Sequence, residues 1–409
     1  MKKRLKTKNL FLIPTITLTF LSSLLMPFQV KASNENSTLT DTLSSEPIPI
    51  LGYLGENLSN NDDNISTYSY SPGNAENIVY QIMNNTFFIK NAYSGRYLDV
   101  YGGSASDGTN VQQCSYNGGS NQQWYINYNG DGTFSFLSAI NKNYALDVYG
   151  ASNSNFANIN LWSHHSGDSQ KFKIGYTATS TYVISTKISN YEKAVVVHNN
   201  GCSDEDNVNQ FKYSGNWNEL WILEPVNRNI ELGVKYAIDN ALNTSSVFVY
   251  PSYKTDCTNF VSQCLLASGI HYRDEWYIYR KNGFYHNNID ANYQVNYSWD
   301  ISNTWCWPVA QNFRNFWLDR VSKKYMIKGS AIVQNPQAVW NLGITRGTVV
   351  QIADYNNGLQ DSWHSMIVTG YTDNSDGYIL TYHSDNTLSK TLAEVANSYQ
   401  DNYFVFLEF

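Results

Sequence analysis

The sequence predicts two domains of different class: an all-β domain built from three repeats, then an α+β domain. Three observations carry this. A segment of about 48 residues recurs three times, composition and periodicity change near residue 227, and an acid–thiol pair, Asp256-Cys257, opens an amphipathic run with histidine-bearing strands downstream.

Two segments precede the domains. Residues 1–32 read as a signal peptide, with a basic head from Lys2 to Lys8, an apolar stretch from Leu10 to Val30 and a small-residue exit at Val30-Lys31-Ala32. An exported, extracellular or cell-wall-associated bacterial protein is expected, with no membrane contact after cleavage. Residues 33–78, rich in Ser, Asn, Thr and Asp, read as a disordered linker.

Cleavage would remove six positive charges and no acids, taking the formal net charge from −7 to −13. An acidic chain lacks the Lys and Arg that neutralise phosphates, which excludes nucleic acid as a partner. Aromatic residues make up 15% of the chain, and Tyr and Trp can stack on sugar rings. Five cysteines are an odd number, so a dense disulfide framework is excluded and at least one thiol is free unless it pairs between chains. A monomer is expected.

Residues 79–226 hold the repeats. Tyr97-Leu98-Asp99-Val100-Tyr101-Gly102 returns 48 positions later at Leu146-Asp147-Val148-Tyr149-Gly150, and Gln122-Gln123-Trp124 returns as Gln170-Lys171-Phe172 and again as Glu219-Leu220-Trp221. Short alternating runs separated by Gly, Asn and Asp make each copy a set of strands joined by turns. Three such copies predict a closed threefold unit, with the aromatic that ends each copy in a shared core.

The pattern resembles the ricin-type β-trefoil lectin family. That resemblance implies a glycan pocket per copy, made by an Asp after Leu, an aromatic about fifteen residues on and polar residues before the closing aromatic. The second copy matches best, with Asp147, Asn160, Trp162 and Gln170. The first keeps Asp99, Gln112, Asn121 and Gln122, but Cys114 stands where the second has Trp162. In the third, Val196 replaces the acid beside Asn209 and Phe211. A carboxylate accepting sugar hydroxyls beside an aromatic plate is a sound glycan site, and losing either partner weakens it.

Residues 227–409 open with a helix from Ile230 to Ala241 capped by Asn229. In Asp256-Cys257-Thr258-Asn259-Phe260-Val261-Ser262-Gln263, the apolar spacing places Cys257 at the start of a second helix, where free N–H groups and the dipole favour a thiolate. An aromatic-rich stretch, Tyr272 to Tyr325, contains one further helix near Val309–Val321 and either forms a groove or covers the sheet. Strands follow at Gly347–Ile352, Ser365–Gly370 and Tyr378–Tyr382. A hairpin turning near residue 374 sets opposite each other residues whose numbers sum to about 748. His364 and His383 come within one of that sum and are expected as neighbours, with Asp385 on the same face.

A cysteine hydrolase needs a thiolate, a base and a group that orients the base. Zinc held by Cys257, His364 and His383 is the rival reading, disfavoured because no close Cys or His pair anchors it; no cofactor or metal is expected. The Asp256–Gln263 stretch, with Trp363-His364-Ser365 and Tyr382-His383-Ser384, is similar to the bacterial putative amidase domain family, related to papain-like cell-wall hydrolases. The resemblance implies a papain-like fold, amide cleavage with peptidoglycan stem peptides as substrate, Cys257 as nucleophile, His364 as base and His383 as orienting group. Asp385 is the rival third member, and Asp256 is implied as a holder of a substrate amine. The expected whole is a secreted cysteine amidase brought to a glycan or peptidoglycan surface by a lectin; the alternative is a glycan-binding adhesin or toxin with an inert or host-directed second domain.

Overall fold

The computed structural model describes residues 50, 52–54, 79, 81–177, 181–242, 252–253, 255–273, 275–280, 288–289, 299–300, 305–356, 359–372 and 377–409. The expected signal peptide and most of the expected linker lie outside these residues.

Each repeat is four short strands. The first copy has Asn85–Asn91, Tyr97–Val100, Val111–Cys114 and Gln123–Tyr128; the second starts at Phe134 and the third at Tyr182. The domain closes because Trp221–Pro225, the last strand, pairs antiparallel with the first. Trp124, Phe172 and Trp221 are fully buried, as the repeat predicts. Two of them fix their copies by the same bond, Trp124 Nε1–H to Leu98 O at 3.0 Å and Trp221 Nε1–H to Val195 O at 2.8 Å. Where the copies meet, three asparagines one repeat apart close a ring: Asn110 donates to Asn207 at 3.0 Å, Asn207 to Asn158 at 2.8 Å and Asn158 to Asn110 at 2.9 Å.

The linker expectation is corrected in part. Gly52–Tyr53 forms a strand against Gly175 and Tyr176, and Leu54 is buried in the repeat core. Gly175 makes this possible: a Cβ there would stand 2.7 Å from Ile50 Cγ2 and 3.1 Å from the Tyr53 ring.

The second domain combines helices and strands. Helix α1, Ile230–Asn240, is capped by Asn229, whose side chain accepts from Leu232 N. Helix α2 is Cys257–Ala267 and α3 is Ala310–Trp317, shorter than the sequence suggests. The sheet uses six strands: β1 Lys323–Lys328, β2 Val349–Asn356, β3 Leu359–Tyr371, β4 Tyr378–Tyr382, β5 Thr387–Thr391 and β6 Tyr403–Glu408. Their order is β1-β6-β2-β3-β4-β5, all neighbours antiparallel. One face, carrying Val349 and Ile367, packs against α2; the other, carrying Ile352, Met366 and Val368, packs against the short helix Leu392–Ser398. No helix among the described residues is long and apolar enough to cross a membrane.

The domains share a core. One cluster of buried apolar side chains includes Val183, Ala194, Leu220 and Ile222 from the repeats and Tyr236, Phe260, Cys264 and Leu265 from α1 and α2. Beside it Lys90 and Glu224 form a buried ion pair at 3.4 Å, and Lys90 also donates to Tyr272 Oη at 3.0 Å, across the boundary.

Candidate functional sites

In the second repeat, Asp147 pairs across the strands with Asn160, and Ala145 with Trp162, so acid, amide and indole share one face. Asp147 is buried and accepts from Ser169 Oγ at 3.0 Å. Burial lifts its carboxyl above the ordinary value. Trp162 is 37% exposed, an open plate beside the acid. Neither side-chain atom of the buried Asn160 has a partner among the described residues. Gln170 clips the loop, accepting from His165 N and donating to Ser163 O, and its side chain also acts on Asp147, opposing the effect of burial. His165 was not legible as a site residue. Its Nδ1 accepts from Gly167 N at 3.0 Å, so Nε2 carries the hydrogen and faces Asp147 Oδ2 at 3.5 Å. Ser169 could have been found, since it stands one repeat after Asn121.

The first pocket keeps its acid and lacks its plate. Asp99 accepts from Asn121 at 2.5 Å and Gln112 at 3.4 Å, while Gln112 also reaches Cys114 Sγ at 3.3 Å. Gln122 clips its loop as Gln170 does. In the third copy, which has Val196 in place of the acid, Phe156 from the second copy packs on Phe211 at 4.7 Å and on His198 at 5.4 Å.

Cys257 opens α2, and both the apolar and the polar faces of this helix are covered. Phe260, Val261, Cys264 and Leu265 are buried as the spacing predicts. The polar positions are claimed by the aromatic region: Trp307 Nε1–H donates to Asn259 at 2.7 Å and Trp276 Nε1–H to Ser262 at 3.1 Å. Trp276 and Trp307 therefore cover α2 and form no groove. Gly233 lets α1 approach, because a Cβ there would meet Cys264 O at 2.8 Å.

The thiol itself is buried, and burial pushes it above the ordinary thiol value, with a Ser365 backbone N–H and the Thr258 hydroxyl pulling the other way. This corrects the thiolate expectation: the helix end does not outweigh loss of solvent. Thr258 Oγ1 reaches Ser365 Oγ at 2.8 Å, which ties the first turn of α2 to β3.

The hairpin expectation is corrected as well. β3 and β4 pair Ile367 with Thr381 and Val368 with Leu380, so the turn centre is as expected. Carried on, that register sets His383 against Ser365, not His364. One residue is a change of face. His364 opposes Ile352, just after a bulge at Trp363, and its ring meets Tyr382 at 4.9 Å. His383 lies on the α2 side, stacked on Phe260 at 4.0 Å, with Nδ1 2.7 Å from Asp256 Oδ2 and Nε2 2.9 Å from Asn240 O. Both its nitrogens are engaged, so it does not orient His364. Asp256 is engaged too, its Oδ1 accepting from Tyr253 N and Asn259 Nδ2 at 2.8 Å each.

Burial lowers His364 to about 4, with the Asp385 charge acting in the opposite sense. The ring is therefore neutral near pH 7. Asp385, exposed beyond β4, is the acid that His364 feels. Ser384 between His383 and Asp385 has φ 86°, a left-handed backbone that a non-glycine residue adopts at a cost of about 1–3 kcal/mol. Among the described residues no hydrogen bond joins the thiol to an imidazole, and no three His, Cys, Asp or Glu side chains gather as a metal set.

Two family models match the chain: a ricin-type beta-trefoil lectin domain-like model over residues 76–162 and a putative amidase domain model over residues 227–407. Among solved structures, the designed three-fold symmetric protein ThreeFoil is 38% identical over 34% of this chain and 96% of its own, with a TM-score of 0.33. An exo-beta-1,3-galactanase from Clostridium thermocellum is 26% identical over 35% of this chain, which spans 30% of the galactanase, with a TM-score of 0.33. The Macrolepiota procera ricin B-like lectin, solved with lactose, is 16% identical over 34% of this chain and 95% of its own, with a TM-score of 0.29. Nothing among curated proteins matches.

Proposed function

From a chain that joins a ricin-type lectin-like domain to a putative amidase domain, we infer a secreted bacterial thiol amidase that cleaves peptide or amide bonds of cell-wall material, held to it by glycan binding at Asp147 and Trp162. The second domain is taken as papain-like, with its nucleophile on a helix end and its base on the sheet. The observation that carries the reading is Cys257 at the first position of α2, with the next residue, Thr258, tied to Ser365 of β3 at 2.8 Å. Attack on an amide carbonyl would form the S–C bond as the thiol proton leaves to a base. His364 is that base: it is neutral, and no hydrogen bond holds its ring nitrogens among the described residues. The scheme requires the strand at the Trp363 bulge to turn the ring from the Tyr382 face of the sheet to the α2 face in the substrate complex. The protonated ring then returns its proton to the leaving amine, water releases the acyl group, and the Cys257 N–H, an unpaired first-turn donor, faces the developing oxyanion.

The separation of thiol and imidazole favours a second reading, a glycan-binding adhesin or toxin with an inert second domain. Incubating the mature protein with purified bacterial walls and identifying released fragments by mass spectrometry separates the two. New amino or carboxyl ends that vanish with Cys257→Ala are expected; fragments that persist in that variant, or none from the parent, defeat the amidase reading.

A further inference from the structure

His383 faces two acceptors. An ionised carboxylate and a backbone carbonyl only accept, so with Asp256 Oδ2 at 2.7 Å and Asn240 O at 2.9 Å each ring nitrogen must carry a hydrogen. A neutral imidazole has one N–H; a ring with two is an imidazolium. The surroundings suit that charge. Asp256 is an anion in contact. Asn240 is the last residue of α1, so its carbonyl lies at the negative end of the helix dipole. The Phe260 ring lies under the imidazole at 21° to its plane, the arrangement a cation over an aromatic face takes.

The remaining groups around it add no rival charge in contact. Ser365 on β3 is neutral, His364 is turned to Tyr382, and Cys257 on α2 is a thiol raised by burial. Asp239 on α1 is paired with Lys235, and the Asp385 charge beyond β4 acts on His364.

We propose that His383 is a standing cation that neutralises Asp256 beside the nucleophile, a positioning residue outside the proton relay. Asp256 immediately precedes Cys257, and its negative charge adds to burial in opposing the thiolate. The carboxylate is nevertheless needed, because it gathers Tyr253 N, Asn259 and His383 and so fixes the entry to α2. An imidazolium lets the anchor keep its charge without imposing it on the sulfur. Through Asn240 O the same ring ties the end of α1 to the start of α2 and the end of β4.

The inference rests on Cys257 as the nucleophile, and its tests do not use hydrolysis. In the full chain with ¹⁵N-labelled histidine, both His383 ring nitrogens, assigned by correlation to the backbone, should show protonated shifts at pH 7. A neutral tautomer there overturns the proposal, and this measurement needs no variant. The second test follows iodoacetamide labelling of the Cys257 peptide against pH. His383→Gln should move the profile about one unit alkaline, or about tenfold slower at pH 7. Adding Asp256→Asn to it should return the rate to within about twofold of the parent. A double variant as slow as the single, with the native fold shown by circular dichroism, overturns charge compensation. If instead the parent releases no fragments from bacterial walls while His383 is an imidazolium, the amidase reading fails and the protonation assignment stands.

Discussion

At the scale of single residues, the mechanism proposed above starts from a neutral thiol and a neutral imidazole that substrate must bring together. His364 is depressed to about 4 from its ordinary 6.5. Its folded value lies below the unfolded one, so the stability tied to its neutral form is fully present above 6.5 and is lost as pH falls toward about 4. The same sign governs catalysis: as a base it must be unprotonated, so the acid limb of kcat/KM is expected near 4 rather than 6.5. Because the Asp385 charge raises His364, Asp385→Asn should move that limb further toward acid and cut kcat by about tenfold or more, with KM little changed. A pH–rate profile of parent and variant checks this, and an unmoved limb removes Asp385 from the mechanism. The start of α2 at Cys257 was legible because the apolar spacing from Phe260 to Leu265 marks one face of a helix. The burial of the thiol was not, since it depends on how the first turn of α2 meets β3 at Ser365, a contact between segments far apart in the chain.

Elements explain the rest of what the sequence revealed and concealed. The near-constant spacing of 48 and 49 residues exposed the three copies and their closing aromatics, because repeats compare a chain with itself. The asparagine ring stayed hidden: Asn is common in every turn of this chain, and nothing marks three of them as a set. The turn of the β3–β4 hairpin was located correctly, yet a slip of one residue put His383 on the wrong face. Strand registers fail in that way because the side-chain period is two. For the pockets, Asp147→Ala with Trp162→Ala should abolish most binding on a glycan array, whereas Val196→Ala, in the copy without the acid, should leave it unchanged. Binding by the double variant at the parent level would place the sugar elsewhere.

For the whole molecule, the expected division into independent modules meets a shared core. Residues 227–409 alone would expose the α1–α2 surface that covers Leu220 and Ile222. That fragment should melt well below the full chain and self-associate, measured by calorimetry and size-exclusion chromatography. A finer test is Lys90→Met, which removes the cation beside the buried Glu224 and should cost about 3–5 kcal/mol in denaturant unfolding. Burial opposes the Lys90 charge, but Glu224 and Tyr272 outweigh it and hold the ammonium above its ordinary 10.5. Its contribution is thus complete below pH 10.5 and fades only above, as pH rises through the folded value. The shared core also has a metrical consequence. A binding module on a loose tether searches a sphere, and the catalyst can strike anywhere within reach. Here the sugar plate at Trp162 and the sulfur of Cys257 are two points of one solid, like the legs of a locked compass. Under the proposed function, the distance from anchored sugar to severed bond becomes a constant of the protein, and on a regularly repeating polymer the fragments should fall into a ladder of discrete lengths.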